Sequence, residues 1–431
     1  MKRTILFSLA LLVLATVSWS APMKLIWMAT GPVKFVEGQE TGGFDSLDAK
    51  LCAEFEKANP GVQVTVMFRD VTQGLLSFQT LLAAKTPPDV WIEASGNANP
   101  YLHDAYALDM KKYLTKEQLA VYKPESINPY IRNGNVYALP QAQVCGGFAV
   151  NLDMLKLIGE KMPAQDKWTT DEFLRIARKL KAIGIPATMI MAKNGLSGWN
   201  YQWLYAFGGS IYNGQNYGVS AINSAANAKA LKFMKQLVDE GLAQPFPEEQ
   251  DENAGVELFT TGKVFSCAMQ NGHTNYWIPQ QVKAGKLDKE FEMTFVEFPH
   301  AAGIKHVPTF GYQAIVVAHR SANEERNKMV AKLALVAAGK DYIYNACVLN
   351  GAFTTRTDLD PKAGVTLIPS YKAIADLAKV AGLMDTDRLG ARSDESRAGW
   401  KEPFQSFFRG EITAEVCLKQ CEDISNEVLA R

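Results

Sequence analysis

The chain has 431 residues, of which 47% are hydrophobic and 21% are charged. This composition is typical of a globular protein and excludes intrinsic disorder, and the length suffices for two or three domains. Lysine plus arginine and aspartate plus glutamate both number 45, so the formal net charge is zero. A nucleic-acid-binding protein usually carries a basic excess, and this balance argues against that class.

The beginning of the chain has the pattern of a secretory signal peptide. Lys2 and Arg3 precede an apolar run over 5–17, and small residues then lead to Ala21. A basic start, an apolar stretch and small residues at the cleavage position are the three parts of such a signal. We therefore expect residues 1–20 to be removed. No cysteine occurs near the new N-terminus, so the sequence predicts a periplasmic protein without a lipid-anchor cysteine.

The mature chain begins with alternating strands and helices. Strands are predicted over 23–28, 62–68 and 90–92, and the second of them shows the alternation of period 2 that is typical of a half-buried strand. Helices are predicted between them, over about 47–58 and 75–84. Strand, helix, strand, helix, strand is the order that begins a doubly wound α/β domain.

The same alternation resumes after residue 136. A strand is predicted over 144–150, and a helix over about 225–240. Capping boxes, in which a side chain at the helix start bonds a backbone N–H one turn on, predict helix starts at Thr169 and Ser321. Thr413 is expected to open the final helix. The overall pattern is that of an α/β protein.

The six cysteines are too few for a disulfide scaffold. Cys417 and Cys421 lie one helical turn apart, and we interpret them as small core residues on one helix face. Cys145 and Cys267 both fall in strand-like segments. Whether those two form a disulfide stays open at this point.

No catalytic constellation is recognisable in the sequence. Neither a zinc-protease motif, a nucleophile elbow, a phosphate-binding loop nor a dinucleotide fingerprint occurs. The sequence predicts no catalytic residues, no metal site and no cofactor, and favours a binding protein over an enzyme. Two other classes remain as alternatives: a periplasmic hydrolase with a reactive carboxylate pair, and a sensory or scaffold protein with an exposed apolar patch.

Aromatic and polar residues are concentrated in three segments that follow predicted strands or lie in loops. They are Trp91, Glu93 and Ser95; Trp199, Tyr201, Trp203 and Tyr205; and Asn271, His273, Asn275, Tyr276 and Trp277. Aromatic rings cover the C–H faces of sugars, while polar side chains bond the hydroxyls, and such a mixture is typical of small-ligand pockets. The alternative for each aromatic residue is a place in the hydrophobic core.

Nine segments in order resemble the extracellular solute-binding proteins of ABC transporters, in the group that includes maltose- and multiple-sugar-binding proteins. They are FEKANPGVQV (55–64), AAKTPPDVWI (83–92), NVYALP (135–140), FAVNLDML (148–155), WTTDEFLRIARKL (168–180), YAFGGSIYN (205–213), LFTTGKVFSCAM (258–269), GAFTTRTDL (351–359) and GEITAEVCLKQ (410–420). Each segment alone is a weak signal, but their order covers nearly the whole mature chain.

The resemblance implies an α/β, two-lobed periplasmic-binding-protein fold of type II, with discontinuous lobes joined by hinge crossings near Pro140, Thr309 and Phe353. The N-terminal lobe would comprise 21–140 and 309–352. The C-terminal lobe would comprise 141–308 and 353–431. In such proteins a ligand bridges both lobes and stabilises the closed form, which the membrane permease of the transporter then recognises. A monomer is expected.

The resemblance also implies a ligand site with contributions from both lobes. The residues at the corresponding positions are Thr30, Gly31, Glu93, Ser95, Trp199, Tyr201, Trp203, Asn271, Gly272, His273, Trp277, Arg397 and Trp400. About half of them are expected to touch ligand, because neighbours on one strand or helix cannot all face a cleft.

The sequence leaves two ligand classes open. A neutral mono- or oligosaccharide fits the aromatic residues and the balanced charge. An anionic polyol, such as a glycerol phosphate or a phosphodiester, would fit Arg392 and Arg397 beside Trp400, since guanidinium groups suit phosphate oxygens. Those arginines could also serve only as solubilising surface residues.

Overall fold

The computed structural model describes residues 21–29, 47–68, 76–103, 105–213, 216–309, 311–350, 352–359, 371–381 and 393–430. Its strands are β1 Met23–Ala29, β2 Val62–Phe68, β3 Val90–Ala94, β4 Ile131–Arg132, β5 Asn135–Val136, β6 Leu139–Asn151, β7 Tyr212–Asn213, β8 Asn216–Ser220, β9 Ser266–Gln270, β10 Met293–Val296, β11 Gly311–Ala318 and β12 Phe353–Thr354.

The α-helices of the described residues alternate with these strands along much of the chain. They are α1 Leu47–Ala58, α2 Leu76–Ala83, α3 Ser95–Ala98, α4 Lys116–Ala120, α5 Pro124–Ile127, α6 Leu152–Leu157, α7 Thr170–Ala182, α8 Gln202–Ala206, α9 Ala225–Asp239, α10 Glu252–Thr260, α11 Asn271–Lys283, α12 Glu324–Ala337, α13 Lys340–Asn350, α14 Tyr371–Ala381, α15 Ser393–Ala398, α16 Lys401–Phe408 and α17 Ala414–Leu429. Across these ranges, no helix is long and apolar enough to cross a membrane.

The first three strands form the expected parallel arrangement. β1 pairs in parallel with β2 on one side and with β3 on the other, and the right-handed crossover rule places α1 and α2 over the sheet. β11 then adds antiparallel to β3, and β6 adds antiparallel to β11. The prediction of an α/β fold is confirmed in this part of the chain.

The 13-residue strand β6 is the main connection between the two halves of the molecule. Its first part, from Leu139 to Cys145, pairs with β11, whereas Gly146 to Asn151 pairs with β9 and β10. β12 pairs with the middle of the same strand. One continuous strand therefore carries sheet partners from both sides, and changing the angle between the sides would bend or twist it.

A second contact holds the segments near the crossing together. The hydroxyl of the fully buried Thr355 lies 3.2 Å from the Pro140 carbonyl oxygen and 3.1 Å from that of Gln141, and its one hydrogen is shared between them. The Tyr130 hydroxyl similarly donates to the Gln313 side chain at 2.6 Å. These bonds fasten the chain after β12 and strand β11 to their neighbours where the backbone passes between the halves.

The two halves have separate hydrophobic cores, as a two-lobed protein requires. One core lies between β1–β3, α1, α12 and the first part of β6, with a smaller cluster on the opposite face of that sheet. The other is built around β9, α7, α9 and the last two helices. The predicted two-lobed α/β class is thus confirmed, while the crossing positions near Pro140, Thr309 and Phe353 stay a prediction.

Two helix starts have the side-chain caps expected from the sequence. Thr169 and Thr413 each accept a hydrogen bond from the backbone N–H three residues on. The start predicted at Ser321 is wrong by two residues, because Asn323 caps α12 and its side chain accepts from the N–H of Arg326. The Ser321 hydroxyl instead accepts from the Asn323 N–H.

All six cysteines lie in the described part of the chain, where they are buried and none is in a disulfide. Cys145 and Cys267 therefore do not form a disulfide in this structure. Cys417 and Cys421 lie fully buried on one face of α17 in the C-terminal core, which confirms their interpretation as core residues.

Candidate functional site

The two lobes approach each other through two pairs of helices. Helix α3 of the N-terminal lobe lies against α15 of the C-terminal lobe, and α13 of the N-terminal lobe lies against α11 of the C-terminal lobe. Helices α11 and α13 also contact strand β6, where the sheet partners change, whereas α3 lies on β3 and β11. A ligand held between the lobes would be bounded by these elements.

The N-terminal wall is formed by the end of β3 and the start of α3. Glu93 is almost fully buried, and its Oε1 accepts hydrogen bonds from the Ala94 N–H at 2.7 Å and from the Asn97 side chain at 3.2 Å. Ser95 follows it and is also buried. In β1–β3 the strands are parallel, and ligands of such sheets bind beyond the carboxyl ends of the strands. The predicted pair lies at that edge, where Glu93 orients the turn.

The C-terminal wall contains the short helical turn Gly198–Tyr201. Ser197 begins this turn, because its hydroxyl accepts from the Trp199 N–H at 3.2 Å. Trp199 and Tyr201 are largely buried, with 4% and 2% of their surface exposed. The guanidinium carbon of Arg397 lies 5.9 Å from the centre of the Tyr201 ring. Burial raises the pKa of Tyr201, and the positive charge of Arg397 opposes that rise.

Arg397 reaches this wall from helix α15. The carbonyl of Arg397 packs near Gly195, where an added Cβ would come within 3.5 Å of it, so α15 and the segment before the turn are held together. Because α15 also lies against α3, Arg397 and Ser95 belong to elements that meet across the lobes. The structure thus brings together the two helices that carry these predicted residues.

Trp203 and Trp400 have core positions rather than positions on a cleft wall. Trp203 has no exposed surface and packs edge-on against Phe148 and Phe298. Trp400 also has none, and its indole N–H donates to the Cys421 carbonyl oxygen at 3.1 Å. Large aromatic side chains gain most from complete burial; Trp203 is buried on α8, and Trp400 is buried directly before α16. We therefore do not include them in the proposed site.

Trp277 has the opposite placement. It lies on α11, with 42% of its surface exposed, and α11 is the helix that approaches α13 of the other lobe. The predicted residues Asn271, Gly272 and His273 form the first turn of the same helix. Gln270 ends β9 directly before it, so the position of α11 is set by the strand that pairs with β6.

Glu252 is a charged residue beside this wall that no sequence motif identifies. It is the first residue of α10, and its Oε1 accepts a hydrogen bond from the Ser197 hydroxyl at 2.6 Å. Asp251 caps the helix and forms an ion pair with Lys193 at 2.9 Å. The acidic pair at a helix start is visible in the sequence, but its proximity to Ser197 and Arg397 arises only from the fold.

Three predicted residues lie outside the described part of the chain: Thr30, Gly31 and Arg392. Within the described part, no group of three or more histidine, cysteine, aspartate or glutamate side chains is placed to hold a metal ion. A cavity of about 530 Å³ lies elsewhere, between α1 and the junction of α12 and α13. Its lining comes from the N-terminal lobe alone, so it is not the space between the lobes.

The sequence of the chain is similar to that of known proteins. The model of the family described as bacterial extracellular solute-binding protein matches residues 37–338, which is more than half of the chain. The chain belongs to this family. A curated binding protein from Brucella abortus is 27% identical over 222 residues, which are 49% of this chain and 51% of the relative. The chain thus matches about half the length of that curated relative.

Solved structures show the same fold over nearly the whole chain. A chitin oligosaccharide binding protein has a TM-score of 0.77 at 18% identity, covering 96% of this chain and 100% of that one. The maltose-bound MalE3 of T. maritima has a TM-score of 0.74 at 18% identity, with 94% and 99% covered. An ABC substrate-binding protein of Listeria monocytogenes, in complex with cycloalternan, has a TM-score of 0.74 at 17% identity, with 95% and 99% covered.

Proposed function

We propose that this solute-binding protein captures a carbohydrate, a mono- or oligosaccharide, between its two lobes and delivers it to the permease of an ABC importer. The observation that carries the proposal is the exposed ring of Trp277 on a helix that meets the other lobe. An exposed tryptophan ring suits the apolar C–H faces of a sugar. Proteins of the same fold bind maltose, cycloalternan and chitin oligosaccharide, which supports this choice.

The mechanism is hinge closure about β6 and the two other crossings. The moving bodies are residues 21–140 with 309–352, and residues 141–308 with 353–431. A ligand that touches both bodies stabilises the closed form by its additional contacts there, and several kcal/mol of such preference are needed to convert an open population into a closed one. The protein acts as a monomer and performs no chemistry on the ligand.

Delivery requires a location outside the cytoplasm. The family is extracellular by description. Residues 1–20 have the composition of a signal peptide, and removing them leaves a periplasmic protein that begins at Ala21. Release of the ligand into a permease then couples closure to transport.

Thermal unfolding of the chain from Ala21 onward tests this proposal against maltose, maltotriose, chitobiose and monosaccharides. A ligand at a hundred times its dissociation constant adds about 2.7 kcal/mol to the free energy of unfolding, which corresponds to several degrees for lobes of this size. Calorimetry then gives the affinity. Incubation with the same sugars and analysis of products tests the absence of turnover.

A matched pair of variants connects binding to the site. Trp277→Ala is expected to weaken the binding of the sugar by about 2 kcal/mol, or roughly 30-fold in affinity, as is usual for a central aromatic contact. Phe246→Ala is the control, since Phe246 is 60% exposed and lies before the short helical turn Pro247–Glu249 of the C-terminal lobe. Equal affinities for the two variants would exclude Trp277 from the site.

An anionic polyol is the second candidate, favoured by the placement of Arg397 beside Tyr201. A guanidinium group binds phosphate oxygens through paired hydrogen bonds. Arg397→Ala should therefore abolish binding of glycerol 3-phosphate, whereas the affinity for a neutral sugar should change little. If neither ligand responds to this substitution, the phosphate hypothesis loses its support.

A further inference from the structure

Two charged residues of the C-terminal wall come from distant parts of the chain, beside the ion pair of Asp251 and Lys193. Arg397 lies on α15 and Glu252 begins α10. The two are close enough for the positive charge of Arg397 to lower the pKa of the Glu252 carboxyl, as does the hydrogen bond from Ser197. Both effects oppose the rise in that pKa that burial causes.

Glu252 is held by protein but is not enclosed by it. The residue retains an exposed surface, although the surrounding atoms desolvate its carboxyl enough for burial to be the largest influence on its pKa. The carboxylate has about four acceptor positions, and the Ser197 hydroxyl occupies one of them, which leaves acceptor capacity for hydroxyl groups of a ligand.

The Glu252 side chain is held in place by a hydrogen bond to its carboxylate and by its position in a helix. Ser197 binds it and also caps the turn that carries Trp199 and Tyr201. The backbone of Glu252 is in the first turn of α10, where the helix dipole favours a negative charge. The same turn carries the Tyr201 ring beside which the Arg397 guanidinium lies. The turn Gly198–Tyr201 and its cap Ser197 therefore position both Glu252 and Arg397.

We propose that Glu252 is a specificity-determining residue, which accepts hydrogen bonds from ligand hydroxyls and, by offsetting the charge of Arg397, excludes anionic ligands. The inference rests on the proposed function and names the ligand class as neutral polyhydroxy compounds. A phosphate near Arg397 would also approach the Glu252 carboxylate, and the repulsion in a partly desolvated site is larger than in water. A neutral sugar meets one donor group and one acceptor group instead.

The test compares Glu252→Gln with the wild-type protein. Glutamine keeps an oxygen for the Ser197 hydroxyl but removes the negative charge, so the fold is retained. Glu257→Gln is the control: Glu257 lies on the same helix, and its carboxylate pairs with Lys286 at 3.1 Å at the surface. Affinities are measured by calorimetry for glycerol 3-phosphate and for the tightest-binding neutral sugar of the thermal screen.

We expect Glu252→Gln to strengthen the binding of glycerol 3-phosphate and to weaken the binding of the neutral sugar. The ratio of the two affinities should change by at least about tenfold, equivalent to about 1.4 kcal/mol. Glu257→Gln should leave the ratio unchanged. An equal ratio in wild type and Glu252→Gln overturns the assignment, because a merely structural role would weaken both ligands alike.

The result also separates this inference from the proposed function. If wild type binds glycerol 3-phosphate but no sugar, the carbohydrate proposal fails and the exclusion of anions by Glu252 is overturned with it. If sugars bind and the ratio does not respond to Glu252→Gln, only the role of Glu252 fails. Thermal unfolding of each variant without ligand shows that the comparison is made between folded proteins.

Discussion

Gly146→Ala should destabilise the protein strongly, although it adds one methyl group. Gly146 is the residue of β6 at which the pairing passes from β11 to β9. An ideal Cβ at this position would lie 2.3 Å from the Met269 carbonyl oxygen and 3.1 Å from the Gln270 Cα. Both atoms belong to the backbone of β9, so no side-chain rotation can relieve the contact.

The cost follows from the movement that the methyl group requires. Ordinary contacts begin at 3.4 Å, so β6 and β9 would have to separate locally by about 1.1 Å. Such a separation breaks one or two ladder hydrogen bonds, at about 1 kcal/mol each, and overpacking of a close-packed interior adds about 1–3 kcal/mol. We expect a loss of about 2–4 kcal/mol in the free energy of unfolding.

Gly147→Ala is the matched control in the same strand. A Cβ there would lie 3.3 Å from the Val296 carbonyl oxygen and 3.4 Å from the Phe295 ring, so adjustments of about 0.1 Å suffice. Thermal and urea unfolding of both variants measure the difference, which should be several degrees, since 1 kcal/mol shifts the midpoint of a domain of about 200 residues by roughly 2–4 °C. Equal midpoints for the two variants would refute the steric argument.

Three further predictions concern stability. Trp203→Ala should lower the free energy of unfolding by about 3–5 kcal/mol because it empties a core position. Urea unfolding measures this loss, and a loss below about 1 kcal/mol would contradict the core placement. Thr355→Val should cost about 1–3 kcal/mol, because two buried carbonyl oxygens of β6 lose their donor; an unchanged unfolding midpoint would show that the hydroxyl is dispensable. Hydrogen bonds from Arg175 and Lys179 lower the pKa of Glu160 from 4.5 to about 2, so its carboxylate stabilises the fold above pH 4.5 and this contribution disappears as the pH falls through 2. Glu160→Gln should therefore lower the melting temperature at pH 7 but not near pH 2, and an equal shift at both would refute the linkage.

The sequence by itself determined the local elements of the N-terminal lobe. The predicted strands correspond to Met23–Ala29, Val62–Phe68 and Val90–Ala94, and the predicted helices to Leu47–Ala58 and Leu76–Ala83. Periodicity, caps and breakers act over a few residues, so the sequence of each segment is sufficient to reveal them. The order of these elements also restricted the fold to an α/β class.

Sequence reasoning was less exact where an element depends on distant partners. The strand predicted over 144–150 extends from Leu139 to Asn151, because β11 and β12 pair with its first part. Nothing local to 139–143 reports those partners. The start of α12 likewise moved from Ser321 to Asn323, since two neighbouring polar residues could each cap a helix and only one has the required geometry.

The candidate site shows the same division between local and tertiary information. The sequence selected both Trp203 and Trp277, and the polar neighbours of Trp277 favoured it, but no pattern separated inward from outward positions with certainty. The tertiary structure gives Trp203 no exposed surface and leaves 42% of Trp277 exposed. It also brings Glu252 to Ser197 across 55 residues of chain. Burial and the meeting of distant charges depend on how elements pack, and a one-dimensional pattern does not contain that information.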